Sequence, residues 1–246
     1  MKHAFIQGAG LALAISLLAA CGESASEGDT ADAEAALPEF ELLANGAPAY
    51  PGTDIAGTDV REPQNNSQRV EYLTDASIFE VADFYRAAMV DQGYEIRTLR
   101  ISGSSDTSDA GGSVSTDRGS GTETPTRVSI NPDMIDDGYE MGENYAEGFP
   151  AYPGAANLSE RVTPRGNRNI TFETSDTPGE VYEFYREAIQ GQGEDVVVRA
   201  ISMGLVYPGD RRTATISLND ANNGRQVRVN ATTADPDQVG PVAGGE

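Results

Sequence analysis

The sequence predicts an α+β fold of two tandem repeats, each with one helix packed on a four- or five-stranded antiparallel sheet. The first observation is a duplication: Pro-Ala-Tyr-Pro-Gly at 48–52 returns at 150–154, and Phe-Tyr-Arg at 84–86 returns at 184–186. The second is a stretch of helical periodicity in each copy, and the third is a set of short alternating segments around it. A single helix flanked by such segments indicates a helix laid on one face of an antiparallel sheet.

Each predicted helix has recognisable ends. Ser77 and Glu80 have the spacing of a capping box, and so do Thr177 and Glu180, with Pro178 at the first helical position. One apolar stripe follows in each copy, at positions 81, 84, 85, 88 and 89 and at 181, 184, 185, 188 and 189. The glycines that suit the left-handed residue ending each helix are Gly93 and Gly193.

The strands are predicted from alternating apolar and polar residues on both sides of each helix. Val70-Glu71-Tyr72 precedes the first helix, and Ile170-Thr171-Phe172 precedes the second. The segments that follow the helices are 95–101, 113–116 and 127–131 in the first copy, and 196–201, 213–218 and 226–230 in the second.

These patterns divide the chain into six segments. They are a signal peptide (1–20), an acidic disordered tether (21–46), a first repeat (47–132) with a Ser/Gly-rich loop at 103–125, an acidic connector (133–147), a second repeat (148–234) and a disordered tail (235–246).

The amino terminus predicts where the protein is located. Lys2 precedes a mostly apolar run over 4–20 that is too short to span a bilayer comfortably. Leu18-Ala19-Ala20-Cys21 resembles the lipobox of bacterial lipoproteins, which implies lipidation of Cys21 and cleavage before it. Gly22, rather than the Asp typical of inner-membrane retention, favours a lipid-anchored outer-membrane protein facing the periplasm. The alternative is a signal peptide cleaved nearby with a chance cysteine, although Cys21 is the only cysteine.

Charge and missing residue types exclude several function classes. The formal net charge is −22, which disfavours nucleic acid and anionic lipid surfaces as partners. Lys2 and His3 are the only lysine and histidine, so the processed chain would have neither. Ser-His-Asp and Cys-His catalysis, a Lys Schiff base, a Walker motif and a His/Cys zinc site are then impossible. The acidity itself fits either a saline habitat or attraction to cations.

Both repeats also resemble a loose group of uncharacterised secreted bacterial proteins and lipoproteins. The resemblance lies in the Tyr-Pro-Gly opening, the strand after it, and the helix that bears Val, Phe-Tyr and a closing Gly. It supports the fold prediction and implies no reaction, ligand or catalytic residue.

Two pairs of residues are candidates for ligand binding. Tyr50 and Tyr152 lie in Pro-Tyr-Pro-Gly turns, where each ring could stack on a sugar or peptide or could pack on its own sheet. Arg86 and Arg186 could bind a carboxylate or phosphate, although an acidic residue three positions earlier in each copy favours an exposed ion pair along the helix.

The connector contains the only metal candidates. Asp133, Asp136 and Asp137 begin an acidic run that could supply carboxylates to calcium. The run lacks the alternating Asp/Asn and Gly spacing of a calcium-binding hand loop, so a solvated connector is favoured, and no metal or cofactor is predicted.

The predicted function is therefore a membrane-anchored envelope lipoprotein that acts as a non-catalytic binding or interaction module. Its expected partners are the lipid bilayer, through acylated Cys21, and an envelope protein or glycan. Two alternatives remain: a carboxylate-dependent hydrolase acting on cell-wall or other glycan, and a calcium-dependent binding protein. The oligomeric state is left open.

Overall fold

Ten strands form one continuous antiparallel sheet, and two helices lie together on one of its faces. The computed structural model describes residues 40–64, 66–104, 111–119, 124–132, 144–146, 149–162, 168–191, 197–222 and 225–234. All of them belong to one compact unit, Pro38–Glu246, which has its own buried core. Of the predicted connector only 144–146 are described, and the signal peptide and tail lie outside the described residues.

The helices and strands follow one another in a pattern that occurs twice. In the first half they are β1 (Asp59–Gln64), β2 (Ser67–Thr74), α1 (Ile78–Asp91), β3 (Glu95–Ser104), β4 (Gly111–Arg118) and β5 (Thr126–Pro132). In the second half they are β8 (Ala156–Val162), β9 (Arg168–Thr174), α2 (Pro178–Gly191), β10 (Val197–Val206), β11 (Thr213–Ala221) and β12 (Gln226–Ala234). Between the halves, β6 (Asn144–Ala146) and β7 (Phe149–Pro150) form a separate two-stranded sheet.

The two halves exchange strands, and the prediction of two separate helix-on-sheet repeats is therefore wrong. The strand order is β1-β2-β12-β11-β10-β3-β4-β5-β9-β8, so the first hairpin of each half pairs with the last strand of the other half. The physical reason lies in the duplication itself. Because β5 and β12 have the same alternation, the pattern of β2 is compatible with either partner, and sequence periodicity cannot choose between them.

The centre of the sheet relates the two halves by a local two-fold axis. Strands β3 and β10 are antiparallel neighbours, and Ile101 lies directly opposite Ile201, its counterpart in the second repeat. The strand order is symmetric about this pair, with each half contributing three consecutive strands on one side and a hairpin on the other. The chain thus resembles a fused dimer of one structural unit.

Alternation along the strands separates an apolar face under the helices from a polar face. In β5, Val128 and Ile130 are fully buried, whereas the intervening Ser129 is partly exposed. The same rule holds across the central strands, as expected for an antiparallel sheet with one solvated face. The largest fully buried side chains include Tyr85, Phe172, Tyr182, Tyr185, Met89 and Met203.

The predicted helix beginnings are confirmed. The Ser77 hydroxyl accepts a hydrogen bond from the Glu80 amide at 3.2 Å, and the Glu80 carboxylate accepts one from the Ser77 amide at 2.8 Å. Thr177 and Glu180 form the equivalent pair at 3.3 and 2.7 Å, and Pro178 is the first residue of α2. These contacts satisfy amide donors that a helix start otherwise leaves without partners.

The predicted Tyr-Pro-Gly turns have the geometry that glycine favours. Gly52 and Gly154 have φ angles of 82° and 75°. A third Tyr-Pro-Gly, which ends at Gly209 with φ of 76°, forms the turn between β10 and β11 and was not singled out from the sequence. All three place glycine in the left-handed region, where other residues are strained.

Within the described part of the chain, neither helix is long and apolar enough to cross a membrane.

Candidate ligand-binding site

The facing sides of α1 and α2 form a cluster of charged residues and one tyrosine. Arg186 lies 2.7 Å from both the Asp83 and the Glu183 carboxylates, and Arg86 pairs with Glu183 of the other helix. The Tyr182 hydroxyl donates to Asp83 at 3.1 Å, and the Arg86 guanidinium lies 5.8 Å from the centre of the Tyr182 ring. Burial, and then the neighbouring Asp83 charge, raises the pKa of Tyr182, so its hydroxyl stays protonated and available as a donor.

This cluster shows how the structure uses the two arginines proposed from the sequence. The expected ion pair along the helix is present for Arg186 and Glu183. Arg86 and Asp83 each have a partner on the other helix, so the arrangement ties the two halves of the molecule together. Arg86 and Arg186 are thereby brought into one cluster.

The two candidate tyrosines pack against different helices. Tyr152 is 7% exposed, stacks on Phe172 with ring centres 5.5 Å apart, and donates to Asp176 at 2.6 Å. Burial, followed by that hydrogen bond, raises the pKa of Tyr152. Tyr50 is half-buried and lies edge-on to Phe84 at 5.2 Å. Both rings therefore pack on aromatic side chains of their own half.

A cavity of about 520 Å³ opens beside the helix cluster. Its walls come from four elements: the last turns of α1, the beginning of β3, the end of β4 and the first residues of α2. The lining residues are Arg86, Ala87, Val90, Asp91, Tyr94, Glu95, Ile96, Arg97, Arg118, Thr177, Pro178 and Gly179. Its volume lies within the range of about 300–1,000 Å³ that is usual for small-molecule sites.

The C-terminal end of α1 sets the position of one wall. The Tyr94 amide donates to the Met89 carbonyl at 3.0 Å and the Gly93 amide to the Val90 carbonyl at 2.8 Å, which together form a Schellman motif. Gly93 has a φ of 88°, as predicted for the residue that ends the helix. The chain consequently reverses within a few residues, and Tyr94 lines the same cavity as Val90.

The Tyr94 ring packs against the turn between β10 and β11. Its ring lies edge-on to Tyr207 with centres 5.5 Å apart, and the Arg212 guanidinium lies 3.8 Å from the centre of the Tyr207 ring. Arg212 is oriented in turn by Asp210 at 2.7 Å. Because each contact restricts the next side chain, the aromatic wall of the cavity is preorganised.

Three arginines and two carboxylates line the cavity. Arg97 lies 3.0 Å from Glu95 and donates to the Gly119 carbonyl at 2.5 Å. The Nε atom of Arg86 is buried and has no hydrogen-bond partner among the described residues. The side chains of Arg86 and Arg97 are 32% and 22% exposed, whereas Glu95 is 47% exposed and Asp91 is also exposed. The basic groups are thus the less solvated ones.

The other predicted sites cannot be placed in this arrangement. Cys21, Asp133, Asp136 and Asp137 lie outside the described residues. In the part that the structure describes, no three His, Cys, Asp or Glu residues lie close enough together to hold a metal ion. Tyr50, Tyr152 and Arg186 are not among the residues that line the cavity, whereas Arg86 is.

Sequence reasoning missed most of the cavity. Val90, Tyr94, Arg97 and Arg118 have no distinctive spacing, and the walls join the end of one repeat's helix to the beginning of the other's. Only the helix ends, marked by Gly93 and Pro178, could be identified from the sequence. Their proximity depends on the arrangement of the two halves, which local patterns do not specify.

Comparison of the chain with protein-family models, with curated proteins and with solved structures gives no match.

Proposed function

We propose that this protein is a lipid-anchored envelope protein whose folded body is a non-catalytic binding module, with the cavity between α1, β3 and α2 as its binding site. The observation that supports the site is the cavity of about 520 Å³ with a preorganised aromatic wall and three lining arginines. Pockets that combine apolar lining with a few polar groups are typical of small-molecule sites.

The proposed anchor rests on the sequence at 18–21. Small residues before Cys21 support lipidation there, and Gly22 supports an outer-membrane location facing the periplasm. Two or three acyl chains would supply stable attachment, because each buried methylene contributes about 0.8 kcal/mol. We expect Cys21→Ser to abolish incorporation of an alkyne-tagged fatty acid and to release the protein from the membrane fraction. Unchanged labelling of that variant would refute the anchor.

Binding is favoured over carboxylate-dependent hydrolysis by the surroundings of the cavity's two carboxylates. A general acid of that kind stays protonated near neutral pH because it is desolvated, usually in an apolar pocket. Asp91 and Glu95 are both exposed, and Glu95 is paired with Arg97 at 3.0 Å. Neither carboxylate therefore has the apolar, desolvated surroundings of such a general acid, whereas an exposed carboxylate beside a guanidinium can position a ligand.

Blocking the cavity tests the proposed site. Val90 is a lining residue whose side chain is already half exposed, so Val90→Trp fills the mouth without disturbing the core. Leu73→Trp is the matched control, because Leu73 is equally exposed and lies on the polar face of the sheet. With protein comprising residues 22–246, we expect fragments that give saturation-transfer NMR signals to lose them with Val90→Trp only. Equal signals in both variants would place binding elsewhere.

A further inference from the structure

We infer that the cavity takes an amphiphilic organic anion, meaning a carboxylate or similar singly charged headgroup on a short apolar body. This inference rests on the proposed binding function and specifies the class of its ligand. Three features of the site support it: the number of guanidinium donors, the difference in solvation between its bases and its acids, and the apolar residues in its wall.

Arg86 and Arg97 each have more N–H donors than their described contacts use. Each has five N–H groups in a planar fork suited to carboxylates. For Arg86, one Nη atom contacts Glu183 and the Nε is buried, so any donor to a ligand is an Nη group. Arg97 donates to Glu95 and to the Gly119 carbonyl, and Arg118 lies on the same wall. A ligand headgroup that accepts hydrogen bonds would fit these donors, whereas an ammonium group would not.

The solvation of the charged groups favours an anion over a cation. Glu95 and Asp91 are exposed, so their attraction for a cation is weakened by water and salt. Arg97 is only 22% exposed, so its interaction with an anion is less screened. The whole chain has a formal charge of −22, which repels a polyanion more strongly than a ligand with a single negative charge.

The apolar residues of the cavity wall indicate that the ligand has an apolar body. Val90, Tyr94, Ile96 and Pro178 line the cavity together with Ala87. Val90 is 50% exposed, and an apolar body lying in the cavity would cover it. Since Tyr94 is fixed by Tyr207, the wall offers a flat ring face or edge without further ordering cost.

The test uses one fluorescent anion and three competitors with the same tail. The probe is 8-anilinonaphthalene-1-sulfonate, bound to protein comprising residues 22–246, all of whose described part folds as one unit. Octanoate, octylamine and octanol then compete for it, so that only the headgroup changes. We expect octanoate to displace the probe most effectively. We also expect salt to weaken the binding of octanoate more than the binding of octanol.

Two variants and one control test whether octanoate binds in the cavity. Arg118→Gln should raise the dissociation constant of octanoate about tenfold and that of octanol by less than about twofold. The tenfold change is the one expected for the loss of one charge-assisted hydrogen bond. Arg127→Gln is the matched control, because Arg127 lies on the polar face and its side chain is 70% exposed. Val90→Arg places a further guanidinium at an exposed lining position and should lower the dissociation constant of octanoate about threefold. This second variant provides the test if Arg118→Gln fails to fold.

The outcomes separate this inference from the function on which it rests. If octylamine or octanol displaces the probe as well as octanoate does, and Val90→Trp blocks all three, the cavity binds ligands but the anionic class is wrong. If Val90→Trp changes nothing for any of the three, the cavity is not the binding site and both proposals fail. Octanoate selectivity that Arg118→Gln and Val90→Arg move in opposite directions supports both.

Discussion

Equivalent positions in the two halves form different hydrogen bonds, and the buried tyrosines show this most clearly. Tyr85 and Tyr185 are equivalent and both fully buried. The Tyr85 hydroxyl lies 2.8 Å from that of Tyr72, whereas Tyr185 donates to the Pro150 carbonyl at 3.3 Å, and Phe172 stands at the position equivalent to Tyr72. Each buried hydroxyl thus has a partner, but the duplicated helix positions reach it in different ways.

The tyrosine pair in the first half gives a prediction at the scale of single residues. Tyr72→Phe should lower the free energy of unfolding by about 1–3 kcal/mol, because it leaves the buried Tyr85 hydroxyl without its partner. Adding Tyr85→Phe should recover part of this loss, since both polar groups are then removed together. Urea unfolding of the two single variants and the double variant measures the effect. Strictly additive losses would show that the two hydroxyls do not depend on each other.

At the scale of secondary structure elements, local signals predicted both helices and most strands. Capping boxes and Gly93 mark the helix ends because those contacts form between residues three to five apart. The edge strands β1 and β8 were missed for an equally physical reason. Every residue of β8 is exposed, so it has no buried face and therefore no alternation to detect, and β1 contains Pro63.

The sequence of either helix alone also does not predict the contact between α1 and α2. The strength of this contact can be measured. Asp83 and Arg186 have side chains 33% and 25% exposed, so we expect a coupling of about 0.5–1 kcal/mol in a double-mutant cycle with Asp83→Asn and Arg186→Gln. The comparison pair is Arg127 and Glu173, which lie 3.6 Å apart with Arg127 70% exposed. We expect a smaller coupling there, and chemical unfolding of both cycles supplies the values. Equal couplings would mean that the helix contact adds nothing beyond a surface ion pair.

At the scale of the whole molecule, the sequence revealed the duplication but not the exchange between its halves. Pairing β2 with β5 or with β12 satisfies the same apolar alternation, because the two strands occupy equivalent places in the repeats. The cavity depends on the same global arrangement, since α1 supplies one wall and the first residues of α2 another. Arg86 was identified from the sequence as a possible binding residue, but its neighbours Arg97 and Arg118 could be found only once the halves were assembled.

The exchange predicts how the chain behaves when it is cut. A break between Gly138 and Tyr139 lies outside the described residues and separates the two halves. Co-expressed halves should reassemble into the ten-stranded sheet, because β2 and β9 still find β12 and β5. The first half alone should form a dimer in which β2 of each copy pairs with β5 of the other and Ile101 faces its own counterpart, since β5 is equivalent to β12. Light scattering gives the mass and amide exchange the protected strands. A stable monomer with protected β2 would show that each repeat can pair its own strands, and that the observed exchange depends on the covalent link.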